Sequence, residues 1–85
     1  MKNEPTPSLS PLTLFGQRLA QLRKEQGISQ EQLALMSGIA RSYVSGVERG
    51  KRNISLLNIV LLAQTLKVEP AELLSFTTTI AVKNS

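Results

Sequence analysis

Between Ser29 and Glu48 the chain reads SQEQLALMSGIARSYVSGVE, and its side chains able to read hydrogen-bonding partners crowd into the second half. Arg41, Ser42 and Ser45 come first; Arg49, Lys51, Arg52 and Asn53 follow directly. An arginine fork matches the O6 and N7 acceptors of guanine and discriminates by about 1–3 kcal/mol. Serine hydroxyls donate to or accept from bases and phosphates, while lysine and arginine neutralise phosphate without reading sequence. These residue types at this spacing suit recognition of nucleic acid and not the making or breaking of bonds. Catalysis and metal binding lack their usual groups. The 85 residues include no histidine, cysteine or aspartate, and the six glutamates (Glu4, Glu25, Glu31, Glu48, Glu69, Glu72) do not cluster. The expectation is a chain that is not an enzyme and holds no metal or cofactor.

Charge placement adds to this. The net charge is +4. Arg41 to Arg52 carries four cations against Glu48, whereas Asn53 to Ser85 is neutral, with Lys67 and Lys83 opposing Glu69 and Glu72. An electropositive end next to a neutral one fits a polyanionic partner; a merely solvated charged face is the bland alternative. No apolar run approaches the length of a membrane span, and the N-terminal residues lack a signal-peptide core. A cytoplasmic, nucleoid-associated location is expected.

A groove-reading helix must be short and held end-on by a second helix. The flanking sequence supplies that frame. Residues 1–9 hold Pro5 and Pro7 among polar residues and read as a flexible arm. Ser10-Pro11 offers an N-cap and a first helical proline, with Thr13 a rival start. Leu12, Phe15, Leu19 and Leu22 then mark one face of a helix to about Gln26, ended by Gly27. Ser29 and Gln32 form a capping box for a second helix, whose buried side comprises Leu33, Ala34 and Leu35 or Met36. Gly38 breaks it, and Ile39 plugs the corner. A third helix, Ala40 to Glu48, turns Val44 and Val47 inward and Arg41, Ser42, Ser45 and Arg49 outward. Gly50 stops it. Ser55 caps a fourth helix from Leu56 to about Leu66, and Pro70 opens a short fifth. Residues 10–76 thus form one all-α domain, and 77–85 a tail.

Individual residues follow from this frame. Arg41, in the first turn of the third helix, is expected to face base edges, with an ordinary surface arginine as the alternative. Ser42 and Ser45 have two readings, base or phosphate contacts and ordinary helix-surface serines. Tyr43 either offers its hydroxyl to phosphate or simply packs. Gln30, at the amide end of the second helix, is a phosphate anchor. Arg49, Lys51, Arg52 and Asn53 lie where the chain would cross a DNA strand, and so act as backbone contacts. Glu48 would repel phosphate and is expected to turn inward onto Arg23. Gly46 marks either a close approach or a tolerated defect. The fourth helix is apolar nearly all round: Leu56, Ile59, Leu62, Ala63 and Leu66 form a core stripe, while Leu57, Val60 and Leu61 lie elsewhere. With Leu73, Leu74 and Phe76, these predict a homodimer interface; an apolar but monomeric bundle is the alternative. A two-fold dimer would set two recognition helices one DNA turn apart on a palindrome.

The pattern Gly27-x-Ser29-Gln30-x-x-Leu33-Ala34, Gly38, then Tyr43-Val44-x-x-Val47-Glu48-Arg49-Gly50 resembles the Cro/repressor-type (Xre) helix-turn-helix regulators of bacteria and phages. The resemblance covers about Thr13 to Phe76. Arg41 to Arg49, with Arg52-Asn53, is further similar to the controller proteins of restriction–modification systems. It implies a five-helix, lambda-repressor-like DNA-binding domain with a central helix-turn-helix. It also implies phosphate contacts by Gln30 and Arg52, base contacts by Arg41, Ser42 and Ser45, and Tyr43 against the DNA backbone. The inward arginine–glutamate pair falls on Arg23 and Glu48. Ala40 departs from the pattern, standing where serine or threonine often caps the third helix; its methyl is a candidate thymine contact. The expected function is a homodimeric regulator on a pseudo-palindromic operator, with RNA polymerase a further candidate partner. An antitoxin or phage-type repressor with a protein partner, and an adaptor that kept the fold without DNA binding, are the alternatives.

Overall fold

The computed structural model describes residues 9–77 of the chain. The expected arm and tail therefore lie outside the described residues apart from Leu9 and Thr77, both exposed. Five helices follow in order: α1 Pro11–Glu25, α2 Gln30–Ser37, α3 Arg41–Glu48, α4 Leu56–Leu66 and α5 Pro70–Leu73. No strand occurs among the described residues, and no described helix is long and apolar enough to cross a membrane.

Local chemistry sets the helix ends. Ser10, Ser29 and Ser55 each accept a hydrogen bond from the amide three residues on, that of Thr13, Gln32 and Asn58. At Ser29 the box closes, because the Ser29 amide donates back to Gln32 Oε1 at 2.8 Å. Each such cap stabilises by about 1 kcal/mol. Gly38 ends α2 in the left-handed region at φ 79°, which a side chain would resist. That turn separates the two helices of the central motif. α3 begins one residue later than expected, with Ala40 at its N-cap and no side-chain cap bond.

The helices enclose one core. Leu19, Leu33, Val44, Leu62, Leu66 and Leu73 have no exposed surface, and Val47 almost none. Each fully buried leucine or valine contributes about 1.5–3 kcal/mol. α1 packs on α3 and α5, α2 on α3 and α4, and α4 on α5. Cross-links at the periphery are polar. Arg18 Nε donates to the Glu72 carbonyl at 2.7 Å, and Gln26 Nε2 to the Leu66 carbonyl.

Three expectations need correction. Leu73 is fully buried inside the single chain, because α5 folds it into the core between α1 and α4; it is not available to a second copy. Leu56 was placed in the core stripe but is 71% exposed. It is the first residue of α4, where the helix extends past the core. On α2, neither Leu35 nor Met36 is buried. Ser37 fills that side instead, with its Oγ accepting from the Ile39 amide at 3.2 Å. The other expected interface residues divide. Leu57 and Leu74 are exposed, whereas Val60, Leu61 and Phe76 are half-buried, Phe76 against the core.

Gly16 fixes how closely α1 approaches α3. A Cβ there would lie 2.6 Å from the Glu48 carbonyl oxygen, a backbone atom unable to rotate away. Gly16→Ala should therefore destabilise by roughly 1–3 kcal/mol, the range of core overpacking, as read by urea denaturation. An unchanged midpoint would mean that the helices can separate freely.

Candidate nucleic-acid interface

α2 and α3, joined through Gly38, Ile39 and Ala40, form the central pair, and α3 presents one side to solvent. Val44, Gly46 and Val47 are buried, while Arg41 and Ser42 are exposed. Tyr43 and Ser45 are half-buried, so Ser45 is less open than its expected outward position. Ala40, Arg49, Lys51, Arg52 and Asn53 are all exposed. After α3 the chain turns back sharply. The Gly50 amide donates to the Val47 carbonyl at 3.0 Å and the Lys51 amide to Gly46 at 2.8 Å. This brings the Lys51–Asn53 loop alongside α3. The Arg52 guanidinium carbon lies 5.1 Å from the centroid of the Tyr43 ring, within cation–π range. Arg41, Ser42, Arg49, Lys51 and Arg52 are thus carried by one helix and its exit loop, with no acid on their exposed side from Arg41 to Asn53.

Glu48 is the acid in that segment, and it points inward. Its Oε2 accepts from Arg23 Nε at 2.7 Å, and its Oε1 from Arg23 Nη2 at 2.9 Å. Gln30 Nε2 also donates to Oε1, at 2.8 Å. Arg23 Nη1 completes the set on the Ile28 carbonyl at 2.9 Å. The two charged side chains are 10% and 5% exposed, so α1, α2 and α3 meet on a nearly dry bidentate pair. The hydrogen bond to Glu48 raises the Arg23 pKa above the ordinary arginine value, against the opposing effect of burial, and the charge of Glu48 adds to it. The sign follows directly. The stability linked to the Arg23 shift is fully present below the unfolded arginine pKa and is lost as pH rises through the still higher folded value. Arg23 therefore stays charged across neutral pH.

The side chain of Gln30 is therefore engaged within the protein. As a phosphate anchor, Gln30 is left chiefly its backbone amide at the start of α2. Sequence spacing did not reveal this role, because the partner lies 18 residues away on another helix. Ser37 was missed for a different reason: a serine in an apolar helix face carries no hydropathy signal.

A helix-turn-helix family model matches residues 19–73, from the middle of α1 to the end of α5. The chain belongs to the helix-turn-helix family. Among curated relatives, the control protein C.BamHI of Bacillus amyloliquefaciens is 47% identical over 66 residues, covering 76% of this chain and 82% of that protein. The structure is similar to the restriction-modification controller protein C.AhdI from Aeromonas hydrophila, with 61% identity and a TM-score of 0.72. That likeness covers 73% of this chain and 94% of C.AhdI. A further neighbour is the controller protein C.Esp1396I, solved as a tetramer with its natural 35-base-pair operator; identity is 31%, the TM-score 0.70, and coverage 76% and 86%. The two solved structures share the fold of the present chain.

The Arg23–Glu48 joint yields a quantitative expectation. Glu48→Ala should cost about 3–5 kcal/mol, because it strands a buried guanidinium. The paired replacement Arg23→Met/Glu48→Leu should recover most of that loss, since no charge is then left unpaired. Urea denaturation of the three proteins checks this. A double variant as unstable as Glu48→Ala would show that the pair contributes more than mutual neutralisation.

Proposed function

We propose that this helix-turn-helix protein is a sequence-specific transcriptional regulator that binds a pseudo-palindromic operator as a homodimer, in the manner of a restriction–modification controller. The observation that carries the reading is the outward side of α3. It bears Arg41 and Ser42 on a helix whose inner side is locked, followed by a cationic exit loop. Arg41, Ser42, Ser45 and the Ala40 methyl are the residues for base edges. Tyr43, Arg49, Lys51, Arg52, Asn53 and the Gln30 amide are those for the DNA backbone. Several phosphate contacts make affinity steeply salt-dependent, whereas base contacts determine which sequence is held.

Dimerisation rests on α4 and the segment after α5. Leu56, Leu57 and Leu74 are 71%, 81% and 50% exposed, an apolar surface that a lone domain has no use for. Val60, Leu61 and Phe76, half-buried, complete the proposed interface, with Leu73 excluded. Support also comes from relatives named as control proteins, one of them solved as an operator-bound tetramer. Regulation by occupying or recruiting at a promoter needs no catalytic group in the chain, and RNA polymerase is the partner that such recruitment would engage.

The decisive comparison is between two arginines. Arg41→Ala should weaken operator binding and relax selectivity at one base position, by about 1–3 kcal/mol. Arg52→Ala should weaken operator and random DNA alike and reduce the salt slope by about one unit. Competition gel shifts at several salt concentrations measure both. Equal losses on operator and random DNA for Arg41→Ala would remove its base-reading role.

A further inference from the structure

Gly46 sits in the middle of α3, where glycine is the least favourable residue after proline. It is buried, yet what covers it is not core. A Cβ at Gly46 would lie 2.8 Å from Arg52 Cγ, 3.7 Å from Arg52 Nε and 3.8 Å from Arg52 Cδ, the three nearest heavy atoms outside its chain neighbours and the local helix backbone. All belong to one exposed, charged residue from the exit loop. The same side chain then continues until its guanidinium lies over Tyr43, one helical turn before Gly46.

We infer that Gly46 is a positioning residue for DNA binding: lacking a Cβ, it lets Arg52 lie back across α3 onto Tyr43, so that a cation is held ready beside the recognition helix. This rests on the DNA-binding reading above. The geometry explains why glycine is needed here. The Lys51 amide is bonded to the Gly46 carbonyl, which fixes the start of the Arg52 side chain close to the helix. The conflict with a Cβ arises at Arg52 Cγ, near the root of the side chain, so rotation farther out cannot relieve it while the stack is kept. Alanine at position 46 would evict Arg52 and leave the helix intact, because alanine favours helix more than glycine does and the obstructing atoms belong to a side chain. An arginine laid down in advance loses less rotamer freedom when it meets phosphate than one that sweeps through solvent. Gly46 therefore acts on DNA through Arg52 and does not itself touch the ligand.

The test is a double-mutant cycle on random-sequence duplex DNA at low salt, the appropriate probe for a phosphate contact. Wild type, Gly46→Ala, Arg52→Ala and the double variant are compared after circular dichroism has established that each is helical. Gly46→Ala should weaken binding several-fold, toward the roughly tenfold expected for losing one charge-assisted contact. In the Arg52→Ala background it should have no further effect. In the free protein, the Arg52 side-chain protons should be shifted upfield by the ring of Tyr43, the one tyrosine in the chain. Gly46→Ala should abolish that shift. Wild-type affinity in Gly46→Ala, an equal loss in both backgrounds, or a shift that survives the substitution would each overturn the inference. Failure of wild type to bind any duplex would instead overturn the DNA-binding reading, and the proton shifts would still decide whether Gly46 seats Arg52.

Discussion

The Glu48 carboxylate does two things at once. It removes the single negative charge of the Arg41–Asn53 segment from the outer surface, and it accepts three hydrogen bonds, two from Arg23 on α1 and one from Gln30 on α2. Three helices are thereby fixed at one point, at the C-terminal end of α3. At the same end Gly16 lets α1 come against the carbonyls of Val47 and Glu48. An apolar core alone would bury Val44 and Val47 while leaving the helix some freedom to roll and slide. A bidentate pair has direction, so it fixes the rotation of α3 as well as its depth. Presentation of Arg41 and Ser42 depends on that rotation.

Around this joint the molecule divides its labour. α1, α2 and α3 hold the recognition side, while α4 and α5 close the core with Leu62, Leu66 and Leu73 and leave Leu56, Leu57 and Leu74 outside. The charged surface and the apolar surface come from different stretches of the chain, so each can meet its own partner without competing. The exit loop joins the two. It carries Lys51 and Arg52, folds back on α3 through Arg52, and leads into the Ser55 cap of α4.

Much of this was legible in the sequence wherever the signal is local. Ser10-Pro11, the Ser29–Gln32 box, Gly38 and Ser55 specify their own hydrogen bonds within three or four residues, and the five helices follow from them. The inward turn of Glu48 could be read from charge, since it is the one acid among four cations that we propose meet DNA. Short elements were harder. α2 has eight residues and α5 four, too few for periodicity to separate Ser37 from Leu35 and Met36, or Leu73 from Leu74. Leu56 misled because a helix start obeys the periodicity of the helix without reaching the core that the periodicity serves. The least legible contacts are those made by chain reversal, Gln30 on Glu48 and Arg52 over Gly46. Nothing in the spacing of those residues encodes that they meet.

We propose that a rigidly held α3 reads bases and that the apolar residues of α4 and its neighbours pair two such helices. Selection of bound duplexes from a random-sequence pool tests both together. The prediction is an inverted repeat whose half-sites lie about one helical turn apart, with a defined base at each position that the first turn of α3 reaches. A recovered pool with no shared sequence, held by charge alone and lost on raising the salt, would contradict it.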